Sequence, residues 1–159
     1  MPKIDGSLTR FYRGWAEHNA LVIAMIAPLS AEQLAIRPGL LPDPLWSTAA
    51  HIAGCRANWF HGLLGAGDPA VKRYHDWEEP GAPARSAAEL VTALTETWAL
   101  IDNCLRRWTP AMLDDAFQRE GRPTRTRQWV IWHVFEHDIH HAGEISVTLG
   151  ANGLAGLDL

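Results

Sequence analysis

Residues 129–144, WVIWHVFEHDIHHAGE, hold four of the chain's eight histidines within nine positions. At 3.6 residues per turn, His133, His137, His140, His141 and Glu144 fall on one stripe of a helix, because positions three and four apart share a face. Val134, Phe135, Ile139, Ala142 and Ile145 cover most of the remaining circumference, which predicts a helix buried on more than one side. Val130 and Val147 extend the histidine stripe at seam-like spacing, so imidazoles stand where a core-facing helix normally carries Leu or Ile. Polar groups placed there need partners.

Moving outward from this stretch, the chain shows four long helical patterns and no strand-like alternation. The first covers residues 8–27 and ends at Pro28. Ser30 and Gln33 form a capping box for a short helix that stops before Pro38 and Gly39. Asp43 and Pro44 read as an N-cap and first-turn pair for a second long helix to about residue 64, closed by Gly65 and Gly67. Ser86 and Glu89 form another capping box, opening a third long helix over residues 87–108. Thr109 and Pro110 start a short turn of helix, and the fourth long helix runs from near Thr126 to Leu149, with Gly150 as its stop. The fold class is therefore all-α, a four-helix bundle. The link over residues 66–85, with His75 and Trp77, is longer than most helix connections. It is either a lid over a site at one end of the bundle or, the simpler reading, a long crossover loop between parallel neighbours.

A chain of 159 residues with 47% hydrophobic residues is enough for one globular domain over residues 1–159 with a continuous core. A formal charge of -4 gives no electrostatic footprint for nucleic acid. Arg119, Arg122, Arg125 and Arg127 then read as solvated surface. Cys55 and Cys104 lie far apart with no C-x-x-C pair, which argues against a disulfide scaffold or a cysteine-rich zinc site. The segment MPKIDGSLTR lacks the apolar run of a secretory signal, and the longest apolar run, residues 20–29, is too short to cross a bilayer and reads as core helix. A cytoplasmic, reducing setting with no membrane association is expected. Of the eight tryptophans, Trp98, Trp108, Trp129 and Trp132 read as core, whereas Trp46 and Trp59 are candidates to line a pocket.

The chemistry lies in the histidines. Imidazoles at i and i+4 project side by side, so His137 and His141 can share one metal ion through neutral nitrogens. A third ligand must come from another helix. His51 is the best candidate, because Thr48, His51, Cys55, Asn58 and Gly62 make the one small, polar seam on an otherwise apolar helix, and bundles build metal sites from facing helices. His133 paired with His137, and His140 as a ligand, fit the spacing as well. The competing reading makes all of these hydrogen-bonded core or surface histidines, and for the isolated His18, His61 and His75 it is preferred. Residues 137–141 approach the H-E-x-x-H pattern of zinc proteases, but Asp138 replaces the glutamate and is too short to serve as its base. Glu144 and Glu136 can each orient a ligand imidazole from behind, an ordinary ion pair being the alternative for both and the preferred one for Glu136. Cys55, beside His51, either lines the site or is inert core.

The chain resembles the DinB-like (DinB/YfiT) four-helix bundle proteins over nearly its full length. The resemblance is carried by Trp15 and Asn19, by PLWSTAAHIAGCRANW around His51, and most specifically by WHVFEHDIHHAGEIS. It implies that His51, His137 and His141 bind one divalent metal ion per chain. It also implies a metal-dependent enzyme acting on a small molecule with a low-molecular-weight thiol as cosubstrate, and a homodimer. Three imidazoles suit Zn, Ni or Fe and leave a coordination position open. Such a position lowers the pKa of a bound water or holds a thiol as thiolate, so the expected activity is that of a thiol S-transferase or a hydrolase. The competing expectation is a non-catalytic stress-related or small-ligand-binding protein whose metal is structural.

Overall fold

Three helix starts in this chain lie at Ser or Thr caps, and glycines close some helix ends. The computed structural model describes residues 6–39, 43–77, 79 and 81–158. The first five residues of MPKIDGSLTR lie outside them. The first expected helix is split. Leu8–Arg10 form a 3-10 turn whose Leu8 N–H donates to the Trp108 carbonyl (3.1 Å), and Tyr12 (φ -111°, ψ 21°) departs from helical geometry before α1 begins at Arg13–Ile26. The Ser30 and Gln33 capping box is present and opens α2, Ala31–Leu34.

The next helix, α3, spans Leu45–Arg56. Its N-cap is Pro44 and not Asp43: Pro44 is extended (φ -74°, ψ 162°), and its carbonyl accepts from the Ser47 N–H at 2.9 Å, with no side-chain cap. The helix continues to Leu63 as expected, but Ala57–Leu63 widen into a π-helical segment. Gly65 and Gly67 close it with φ of 67° and 75°, left-handed values that favour glycine. Within the long link, Asp68 caps a 3-10 helix, Pro69–Tyr74, by accepting from the Ala70 N–H at 2.8 Å.

Ser86 and Glu89 cap α4, Ala87–Arg107, by the reciprocal bonds of a capping box. Beyond Pro110–Met112 lies an element not expected from the sequence. It is a ribbon of β1, Ala116–Phe117, antiparallel to β2, Arg125–Thr126, in which Ala116 faces Thr126. Two residues per strand are too few for alternation to show. Thr126 then accepts from the Trp129 N–H at 3.2 Å and caps α5, Arg127–Ala151. Gly150 lies inside α5; the left-handed glycine is Gly153.

Buried residues of the four long helices meet in one core, including Trp15, Val22 and Ile26 from α1 and Leu90, Leu94 and Ile101 from α4. Residues Ala49, Ala50, Ile52 and Ala53 bury the small-residue face of α3, which packs chiefly against α4 and α5. The architecture is the expected all-α bundle. Helix α5 packs mainly on α3, less on α1, and its third side is open. Trp132, Ile139 and Val147 are therefore exposed, at 62%, 46% and 74%, where core positions were expected for the first two and a continued inner stripe for the third. Among the described residues no helix is long and apolar enough to cross a membrane.

Candidate metal centre

Burial of the alanine face of α3 sets that helix's rotation, and the polar seam through Thr48, His51 and Cys55 is left turned toward α5. From α5, His137 and His141 approach the same point one helical turn apart. The Nε2 atoms of His51 and His137 lie 2.8 Å apart. The His141 ring centroid is 4.8 Å from that of His51 and 4.3 Å from that of His137. One nitrogen from each of the three rings lies within 4.8 Å of the others.

The protonation pattern suits ligation. His141 Nδ1 donates to Glu144 Oε2 at 2.6 Å, which leaves the lone pair on Nε2, the arrangement by which a carboxylate orients a metal-binding imidazole. Burial pushes the pKa of His137 down to about 3, and the neighbouring imidazoles of His141, His51, His133 and His140 push the same way. His141 is also lowered, first by burial, with Glu144 opposing. Both rings are neutral at pH 7 and can offer lone pairs. His137 Nδ1 is buried with no hydrogen-bond partner among the described residues. Neutral imidazoles converging from two helices are a donor set that fits a divalent first-row ion.

The other expected site residues divide. His140 Nε2 lies 3.2 Å from Glu144 Oε1, so the one carboxylate spans both histidines; His140, His141 and Glu144 form a second group with metal-ligand spacing, on the exposed rim. Glu136 is exposed, and its Oε1 lies 3.4 Å from His133 Nδ1. His133 stacks on Trp129, with ring planes 19° apart and 4.7 Å between centroids, and meets the edge of Trp59; it stands beside the three-histidine cluster, not in it. Cys55 is buried and lines the cavity next to His51.

Two openings reach the cluster. The smaller, about 270 Å³, is bounded by Asp43, Ser47, Thr48 and Glu144. The larger, about 470 Å³, has His51, His137 and Cys55 at one side and Trp59 and His133 along it. Its remaining lining comes from the 66–85 link: His75, Asp76 and Glu79. Three residues of the link thus line an opening beside the histidine cluster, and His75 is one of them. The signal available in the sequence was the length of the link alone.

Asp138 takes no part in this chemistry. It turns the other way and is buried, where its Oδ2 accepts from Trp15 Nε1 (2.7 Å) and Arg56 Nε (2.9 Å). Arg56 Nη1 donates onward to Asn19 Oδ1 (2.8 Å) and the Leu94 carbonyl (3.2 Å), so the four long helices meet at one guanidinium. The arginine loop is also only partly solvated. Arg127 is buried against Asp115, and Arg119 donates to Asn58 Oδ1 (2.9 Å) and to the carbonyls of Asn58 and Gly62, holding the π-helical segment that carries Trp59. A Cβ at Gly62 would overlap Arg119 Nη2, so a larger residue there would displace the guanidinium.

A family model described as the DinB superfamily matches residues 11–145. Among solved structures, the chain is similar to a DinB-like protein from Bacillus cereus ATCC 10987, with a TM-score of 0.74 and 19% identity, covering 98% of this chain and 99% of that one. It is similar as well to a conserved protein from Enterococcus faecalis, with a TM-score of 0.68 and 17% identity, covering 89% of this chain and 95% of that one. No curated protein matches the chain.

Proposed function

The chain belongs to the DinB superfamily, and from that premise we propose that it is a single-domain, metal-dependent enzyme, a thiol S-transferase or a hydrolase of a small molecule. One divalent ion, Zn, Ni or Fe, is held by His51, His137 and His141. The observation that carries this is the convergence of three ring nitrogens from α3 and α5 to within 4.8 Å of one another, with Glu144 fixing the tautomer of His141. When bound, the ion supplies Lewis acidity at a site with an open position. Helix α3 presents one ligand and α5 two, so their packing sets the geometry. Neutral rings at pH 7 present lone pairs without first losing protons. Trp59 and, from the 66–85 link, His75, Asp76 and Glu79 line the cavity that a substrate would enter.

The test is metal analysis of the purified protein. About one equivalent per chain is expected, with near-complete loss in His137→Ala; full retention in that variant rejects the ligand set. An activity panel of thiol transfers and hydrolyses, run before and after chelation, decides whether the ion is catalytic. The second reading, an ion that only braces the bundle in a stress-related or ligand-binding protein, draws on the fact that the cluster ties α3 to α5. It predicts a large loss of thermal stability on chelation and no activity across the panel. A homodimer is part of the proposal, supported by the exposed Trp132, Ile139 and Val147 on the outer side of α5; light scattering reads the mass. A reducing, cytoplasmic setting fits a metal centre next to Cys55 and is likewise proposed.

A further inference from the structure

The openings to the histidine cluster share an electrostatic bias. Asp43 and Glu144 border the smaller, Asp76 and Glu79 the larger, and no lysine or arginine is among the described residues lining either. Arg119 reaches the rim of the larger cavity at Asn58, where its guanidinium is engaged by Asn58 and by the Gly62 carbonyl. The larger cavity adds an aromatic side, where Trp59 packs edge-on to His133 at 5.0 Å and close to Trp129 at 5.2 Å between centroids. An aromatic side chain and carboxylates lining one cavity are the chemistry that recognises a positively charged group. Neither Asp76 nor Glu79 belongs to the group of side chains with metal-ligand spacing, so they stand beyond the reach of a shared ion. Three neutral imidazoles leave a divalent charge uncompensated, which favours an anionic donor atom at the metal itself.

We infer that the larger cavity takes a small bipolar ligand: an anionic donor atom, such as a thiolate, turned to the histidine cluster, and an ammonium or comparable cation held by Asp76 and Glu79 against Trp59. The inference rests on the metal reading above and narrows its substrate class to amine-bearing molecules. Simple carboxylate- or phosphate-tailed molecules are disfavoured, because their charge would meet these acids unpaired.

The test uses the full chain loaded with Co(II) and three two-carbon thiols that differ in their charged end: cysteamine, 2-mercaptoethanol and mercaptoacetate. Binding is read from the sulfur-to-cobalt charge-transfer absorption. The measured quantity is the preference for cysteamine over mercaptoacetate in the native chain, compared with the same preference in Asp76→Asn/Glu79→Gln. Intrinsic differences in thiol basicity cancel in that comparison. A fall of about tenfold is expected, a few-fold for each exposed carboxylate, and the native preference should shrink as salt is raised. Both side chains are exposed, so the double variant is expected to fold; the salt series on the native chain tests the same point without any substitution. A loaded protein whose preference is the same with and without the two carboxylates and flat in salt, or one that binds none of the thiols, overturns this inference alone. A chain that takes up no cobalt overturns the metal reading and this inference with it.

Discussion

His137 and Asp138 are neighbours on α5 and belong to two polar clusters of opposite character. Asp138 meets Arg56, Trp15 and, through Arg56, Asn19 and a carbonyl of α4; its charge is matched by a cation and its Oδ2 by donors. His137 meets His51 and His141, and its Nδ1 has no hydrogen-bond partner among the described residues. Turning by one residue, about 100° around a helix, separates a charge-matched network from a cluster of bases. In the first, Arg56 and Asp138 neutralise each other, although Asp138 Oδ1 has no hydrogen-bond partner among the described residues. The second gathers three ring nitrogens at metal-ligand spacing, and that spacing is what marks it as a candidate metal site.

The contrast breaks most visibly in stability. Asp138→Ala leaves Arg56 buried without its counter-charge, which is expected to cost about 3–5 kcal/mol, read as a drop of about 10 °C or more in Tm for a chain of this length. His137→Ala, measured without metal, is expected to cost less than half as much; an equal loss would show that the histidine cluster is structural too. The next effect in size concerns the support behind the ligand. Glu144→Gln removes the charged acceptor from His141 Nδ1 and is expected to weaken metal binding about 10- to 100-fold, measured by competition with a chelating dye. Metal-free stability should barely change.

The smallest effect is in pH dependence, and it separates the clusters by sign of protonation. His137 and His141 have folded pKa values below the ordinary 6.5, that of His137 near 3. As pH falls through 6.5 the unfolded chain takes up protons that the folded chain refuses, so unfolding gains on folding. The stability contributed by keeping these rings neutral is complete above pH 6.5 and is lost progressively toward pH 3. Urea denaturation of the metal-free protein at pH 7, 6 and 5 should show this decline, and His137→Ala should flatten it. An unchanged slope in that variant would place the titration elsewhere.

Much of the helical framework was legible in the chain, because caps act over three or four residues. Ser30 with Gln33, Ser86 with Glu89, and Thr126 each announce a helix start in local sequence and form the bonds that spacing predicts. Local reading failed where a partner from far along the chain decides. Leu8 is held by the Trp108 carbonyl in a turn separate from α1, and Ile139 is exposed because α5 lacks a neighbour on that side. The same division runs through the candidate site. An i, i+4 histidine pair is a property of one helix and shows in sequence, as does the polar seam around His51.

The sequence by itself determined four helices, their caps, and a histidine stripe too dense for an apolar seam. Only the tertiary structure decided which of those histidines meet: the alanine face of α3 buries and turns His51 toward His137 and His141, while His133 goes to the tryptophans and His140 to solvent. It also decided that Asp138 is an anchor and that His75, Asp76 and Glu79 border the cavity. The physical reason is that periodicity fixes the directions of side chains around one axis, whereas a site needs the relative rotation of two axes. That rotation is set by packing of residues that take no part in the chemistry.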